Sequence, residues 1–142
     1  MKYNLKILDV VAGIVSRDGY LLICRRSEDK HLAGYWEFPG GKIEQNEGHK
    51  DCLQRELLEE LGVDSAIGEF VAEVTHHYVD RIIRLYAYEA EIISSEIQLV
   101  DHDTYKWVRP EEVLKYQLAP ADIPILCTSL NQSGPVSFKV KL

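Results

Sequence analysis

The sequence predicts a layered domain of the α/β (α+β) class. Short runs of β-branched and aromatic residues, each closed by a turn signal, give the strands. A few helix-length segments with start and stop residues lie between them. The chain of 142 residues is 46% hydrophobic and 27% charged, which suits one globular domain over 1–142 that needs no staples.

The elements follow in order. Residues 7–15 are mostly apolar and rich in β-branched types, Asp18-Gly19 is a hairpin turn signal, and 20–24 is a second apolar run. Residues 27–34 are polar and read as a loop. Trp36-Glu37-Phe38 is a short strand ended by Pro39-Gly40-Gly41. A helix runs from about Glu47 to Leu61, and Gly62 suits the left-handed position past its end. Residues 66–75, 82–92 and 105–108 read as strands. Pro110 opens a short helix, and 123–130 form a last one. The stretch 136–142 alternates apolar and polar residues as a half-buried strand does.

Composition narrows the function. The net charge of −7 disfavours a broad nucleic-acid face, so no nucleic-acid partner is expected. No apolar run approaches the ~20 residues of a membrane span, and no signal segment is read at the start. The three cysteines, Cys24, Cys52 and Cys127, lack metal-ligand spacing and read as buried free thiols of a reducing, cytoplasmic compartment.

The chemistry is concentrated between Gly41 and Val63. Glu56, Glu59 and Glu60 stand at i, i+3 and i+4, so three carboxylates share one helix face. Leu53, Leu57 and Leu61 form an apolar stripe beside them. Helix propensity does not require that crowding of like charge. A hard divalent cation relieves it, and Mg²⁺ favours carboxylate oxygens together with water and phosphate. Arg55 is placed to orient a neighbouring glutamate with its forked donors. Gly40 and Gly41 let backbone approach a metal or a phosphate closely.

This segment resembles the signature of the Nudix hydrolase family at every specified position: Gly41, Glu47, Arg55-Glu56-Leu57, Glu59-Glu60 and Gly62-Val63. The likeness extends from about Val10 to Ile125. It implies a Nudix fold, a mixed β-sheet sandwiched between helices, with a loop–helix–loop catalytic box. It further implies Mg²⁺, with Mn²⁺ as a substitute, held by Glu56, Glu59 and Glu60, with the Gly40 carbonyl as a fourth ligand. Glu47 is implied as a ligand or as the partner of Arg55. The general base is a helix glutamate or Asp101, with Asp103 as a rival. The implied activity is conversion of a nucleoside triphosphate and water to a monophosphate and pyrophosphate.

Outside the box, Cys24-Arg25-Arg26, the run 36–44 and the run 118–124 resemble the MutT branch, the last being most similar to its CTP pyrophosphohydrolase subgroup. By that likeness Arg25 contacts the nucleotide, Phe38 and Tyr78 line a base pocket, Arg81 sits at its mouth and Lys42 meets phosphate. Asp122 stands where guanine-type sanitisers carry Asn. Ionised, it accepts only, which suits the amine of cytosine. Protonated, it mimics Asn and accepts 8-oxoguanine. It is also a favoured N-cap for the helix at Ile123. The expected substrates are CTP, dCTP or 5-methyl cytidine triphosphates. A dedicated 8-oxo-dGTP diphosphatase and a non-catalytic nucleotide-binding regulator are the alternatives, and either a monomer or a homodimer fits. His76 and His77, adjacent on a strand, point to opposite faces and are not a metal pair. Trp36 and Trp107 read as core.

Overall fold

A computed structural model describes residues 5–94 and 96–131. The alternating stretch 136–142 lies outside the described residues. The strands are β1 (Lys6–Arg17), β2 (Tyr20–Arg26), β3 (Trp36–Glu37), β4 (Gly40–Lys42), β5 (Ser65–His77), β6 (Arg81–Ile92) and β7 (His102–Val108). The helices are α1 (His49–Leu61) and α2 (Ile123–Asn131), and Pro110–Lys115 and Pro120–Asp122 are 3₁₀ turns. The strands run β3-β2-β1-β6-β5 in one mixed sheet, with β4 also on β1 and β7 on β2.

Asp18 (φ 52°) and Gly19 (φ 85°) both take positive φ, as the tight hairpin turn expected there requires. The hairpin itself is short. β1 pairs with β2 only at Ser16↔Leu21 and Arg17↔Tyr20. Upstream, the same edge of β1 is taken by β4, from Ala12↔Gly40 to Val10↔Lys42. The other edge pairs in parallel with β6, from Lys6↔Arg81 to Val15↔Ala90. A central strand of this kind is covered on both faces, which explains its near-continuous apolar run.

Two cores result. On one face α1 buries Cys52, Leu53, Leu57 and Leu61 against Val11, Val15, Leu22, Val63 and Ile92. On the other, Ile125 and Leu126 of α2 pack on Ile14, Leu21, Ile23, Trp36 and Leu85. Each such leucine or isoleucine stabilises by about 1.5–3 kcal/mol on burial. The sheet therefore lies between helices, as the resemblance implied. Gly62 ends α1 at φ 67°, its N–H on the Leu58 carbonyl at 2.9 Å.

Three expectations change. The Gly-Gly-Lys segment is itself a strand, because the edge of β1 recruits it despite its lack of an apolar pattern. The helix opened by Pro110 is a 3₁₀ turn. Cys24 and Cys52 are buried free thiols, but Cys127 is exposed, since α2 packs through Ile125 and Leu126. Among the described residues no helix is long and apolar enough to cross a membrane.

Candidate active site

Arg55 organises the loop before α1. Its Nε and Nη2 donate to Glu47 at 2.7 and 2.9 Å, Nη1 donates to Glu56 and Glu59 at 3.1 Å each, and Nη2 also reaches the Lys42 carbonyl at 3.2 Å. Glu47 accepts the Glu44 N–H as well, at 3.0 Å. Hydrogen bonding from Arg55, helped by that amide, holds the Glu47 acid down at about 2. Glu47 is thus paired with Arg55 in this structure.

The α1 carboxylates point to different places. Glu59 is turned outward to Arg55, with its side chain 56% exposed. Glu56 lies against the Gly41 backbone, where a Cβ would overlap its carboxyl group. Glu60 lines a cleft together with Gly40 and Gly41. Burial raises the Glu56 acid above its ordinary value. Burial, reinforced by Glu37, Glu56 and Asp101 and opposed by His102, raises Glu60 to about 7. Its Oε2 is buried without a hydrogen-bond partner.

Among the described residues no three His, Cys, Asp or Glu side chains are gathered into a ligand cage. The donors nonetheless fit a hard divalent cation. Two half-buried carboxyl groups hold their protons above the ordinary carboxylate range, one buried oxygen lacks a hydrogen-bond partner, and the close-packed Gly40-Gly41 backbone adjoins them. Mg²⁺ needs only one or two protein carboxylates, because water and substrate phosphate complete its shell.

The cleft, about 270 Å³, is walled by Val10 and Ala12 of β1, Ile83 and Leu85 of β6, Phe38 and Ala121. Tyr78, Arg81 and His31 stand along it. The Tyr78 hydroxyl accepts the Ala121 N–H at 3.3 Å, and its ring meets His76 edge-on at 4.5 Å. Arg81 is paired with Asp80 at 2.9 Å. Asp122 is 6% exposed, and its Oδ2 accepts the Phe38 N–H at 2.8 Å. That bond ties the residue after β3 to the 3₁₀ turn before α2. Burial, with the charge of Glu37, raises the Asp122 acid to about 8.

Of the anticipated residues, Gly40, Glu60, Phe38, Tyr78, Arg81 and Asp122 line this cleft. Arg25 and Lys42 do not. A β-bulge shifts the register between Arg25 and Arg26. Arg25 is left over the Trp36 ring at 5.7 Å, paired with Asp103 at 2.7 Å. Arg26 lines the cleft in its place. The Lys42 side chain is exposed, and only its carbonyl enters the Arg55 network. Asp103 is held by that pair with Arg25. Asp101 follows the Val100 N–H that bonds the Glu60 carbonyl at 3.2 Å, and acts on the Glu60 charge. His76 is half-buried and His77 exposed, as strand alternation requires. Trp36 is in the core, while Trp107 is only partly buried and stacks under Arg17.

Sequence reasoning missed Arg26, Glu37 and His102. Glu37 Oε1 accepts from Arg26 Nη1 at 3.0 Å, and Oε2 meets His102 Nε2 at 2.7 Å. The only available sign was a glutamate inside an apolar strand, flanked by Trp36 and Phe38.

The model of the NUDIX domain matches residues 10–127. The CTP pyrophosphohydrolase of Escherichia coli is 43% identical over 122 residues, covering 86% of this chain and 90% of that one. A putative 8-oxo-dGTP diphosphatase 2 of Mycobacterium tuberculosis is 35% identical, covering 88% and 92%. Among solved structures, the E. coli ORF135 protein aligns with a TM-score of 0.75 at 42% identity, covering 87% and 89%. A MutT Nudix hydrolase of methicillin-resistant Staphylococcus aureus aligns with a TM-score of 0.71 at 38% identity, covering 87% and 95%.

Proposed function

The chain belongs to the NUDIX domain family of pyrophosphohydrolases, and from that membership we propose that it hydrolyses cytidine triphosphates, CTP, dCTP or their 5-methyl forms, to a monophosphate and pyrophosphate. The observation that carries this reading is a base-sized apolar cleft with a buried acid, Asp122, on one wall and Glu60 at its glycine floor.

In this reading Glu56, Glu59 and Glu60, with the Gly40 carbonyl, would hold a divalent ion, Mg²⁺ with Mn²⁺ as substitute. Such an ion neutralises phosphate charge and lowers the pKa of a bound water. Arg55 and Glu47 keep the loop closed around the site. Asp101, beside Glu60, takes the proton from the attacking water. That oxygen bonds to phosphorus as the bond to the leaving pyrophosphate breaks. Phe38 and Tyr78 flank the base, and Asp122 reads its edge. The CTP pyrophosphohydrolase likeness supports this choice of base.

One observation favours a second substrate, 8-oxo-dGTP. Burial pushes the Asp122 pKa up to about 8, which leaves the carboxyl group protonated at neutral pH, and a neutral carboxyl group donates as well as accepts. The test is turnover of a panel of canonical and damaged triphosphates with Mg²⁺ or Mn²⁺, products being resolved by chromatography. CMP-type products with pyrophosphate are expected. Faster turnover of 8-oxo-dGTP than of every cytidine triphosphate would replace the first reading with the second.

A further inference from the structure

We infer that His102 is a positioning residue for substrate selection, its buried imidazole fixing the carboxyl group of Glu37 in the wall of the cleft. The His102 side chain is only 3% exposed. Nε2 meets Glu37 Oε2 at 2.7 Å, while Nδ1 is buried with no partner. A half-satisfied buried imidazole is costlier than an apolar side chain of the same volume. What it holds is therefore the informative feature. Glu37 lines the cleft alongside Glu60 and Asp122, and its other oxygen is taken by Arg26. Arg26 is itself held by the His31 carbonyl at 2.5 Å. The carboxyl group is held through both oxygens, one by Arg26 of β2 and one by His102 of β7, the next strand beyond β2. It presents a fixed acceptor to whatever base enters.

The kinetic part of the test rests on the nucleotide reading, and the spectroscopic part does not. In ligand-free protein, the imidazole ¹⁵N spectrum is expected to show His102 bonded through Nε2, with that signal moving in Glu37→Gln. A signal indifferent to Glu37→Gln overturns the inference whatever the substrate. With Mg²⁺ and either CTP or 8-oxo-dGTP, His102→Leu is expected to raise KM about 10-fold, to leave kcat within about 3-fold, and to shift the ratio of kcat/KM for the two nucleotides. His102→Gln, whose amide nitrogen can stand in for Nε2, is expected to restore most of the loss. In a Glu37→Gln background His102→Leu is expected to add nothing. Equal losses in the Gln and Leu variants, or additive losses with Glu37→Gln, overturn the inference. If His102→Leu fails to fold, the Gln variant and the spectrum decide. Absence of turnover of any triphosphate by the unaltered protein counts against the nucleotide reading alone.

Discussion

At the scale of single residues, two adjacent glycines make opposite predictions. A Cβ at Gly40 would overlap the Val11 carbonyl, a backbone atom fixed by the β1–β4 pairing. A Cβ at Gly41 would overlap the Glu56 carboxyl group, the free end of a side chain. Gly40→Ala is therefore expected to cost several kcal/mol of stability, on the order of a severe overpacking. Gly41→Ala is expected to melt within a few degrees of the unaltered protein and to lose at least ~10-fold in turnover, because Glu56 is displaced. Thermal melts beside steady-state assays check both. Asp122 gives a third prediction. As pH rises through about 8 its carboxyl group ionises and ceases to donate. The ratio of CTP to 8-oxo-dGTP turnover should rise over that range and should be flat in Asp122→Asn. A ratio that falls with pH would mean that Asp122 does not read the base. Asp122 was legible as a site residue because its type departs from the Asn at the matching place. Its neutral state was not, because burial is a property of the packed cleft. Arg25 was expected at the nucleotide from its likeness to the MutT branch alone. The bulge that hands the position to Arg26 leaves no mark in composition.

At the scale of elements, α1 was the most legible part of the molecule. Its carboxylates, its leucine stripe and Gly62 all follow from a 3.6-residue period and one stop signal. The division of labour among the carboxylates was not legible, since helix geometry gives a shared face but not which acid Arg55 captures. β4 was invisible for a related reason: three residues without a pattern become a strand only because β1 offers an edge. The parallel β1–β6 pairing likewise depends on chain reversal across more than sixty residues. The termination of α1 yields a prediction independent of catalysis. Gly62 sits at φ 67° with the Gln98 side chain 3.4 Å from where a Cβ would lie. Gly62→Ala should cost about 1 kcal/mol in denaturant unfolding, as non-glycine residues do in the left-handed region. Its KM should be unchanged. A loss of activity without loss of stability would mean that the loop after α1 is part of the site.

At the scale of the whole molecule, the charge pattern sets how stability responds to pH and metal. Glu60 and Asp122 have folded-state pKa values of about 7 and about 8, both above the ordinary carboxylate value. The folded protein therefore binds these protons more tightly than the unfolded chain. Their contribution is complete below about pH 4 and is lost as pH rises through 7 and 8, by at most about 1.4 kcal/mol per pH unit for each group. Glu47 acts in the other direction. Its pKa is lowered to about 2 by Arg55, so its contribution is present above the ordinary value and is lost on acidification. Metal-free stability should consequently decline from about pH 5 to pH 9. A divalent cation at Glu56 and Glu60 favours their ionised forms and binds only the folded chain, so saturating Mg²⁺ should flatten that decline. Circular-dichroism melts at pH 5, 7 and 9, with and without Mg²⁺, check this directly. Asp122→Asn should reduce the metal-free slope and leave the Mg²⁺ response intact, whereas Glu60→Gln should reduce both and lower turnover by at least ~100-fold. If Mg²⁺ raised the melting temperature of Glu60→Gln as much as that of the unaltered protein, the ion would have to bind elsewhere, and the assignment of Glu60 as its ligand would fall.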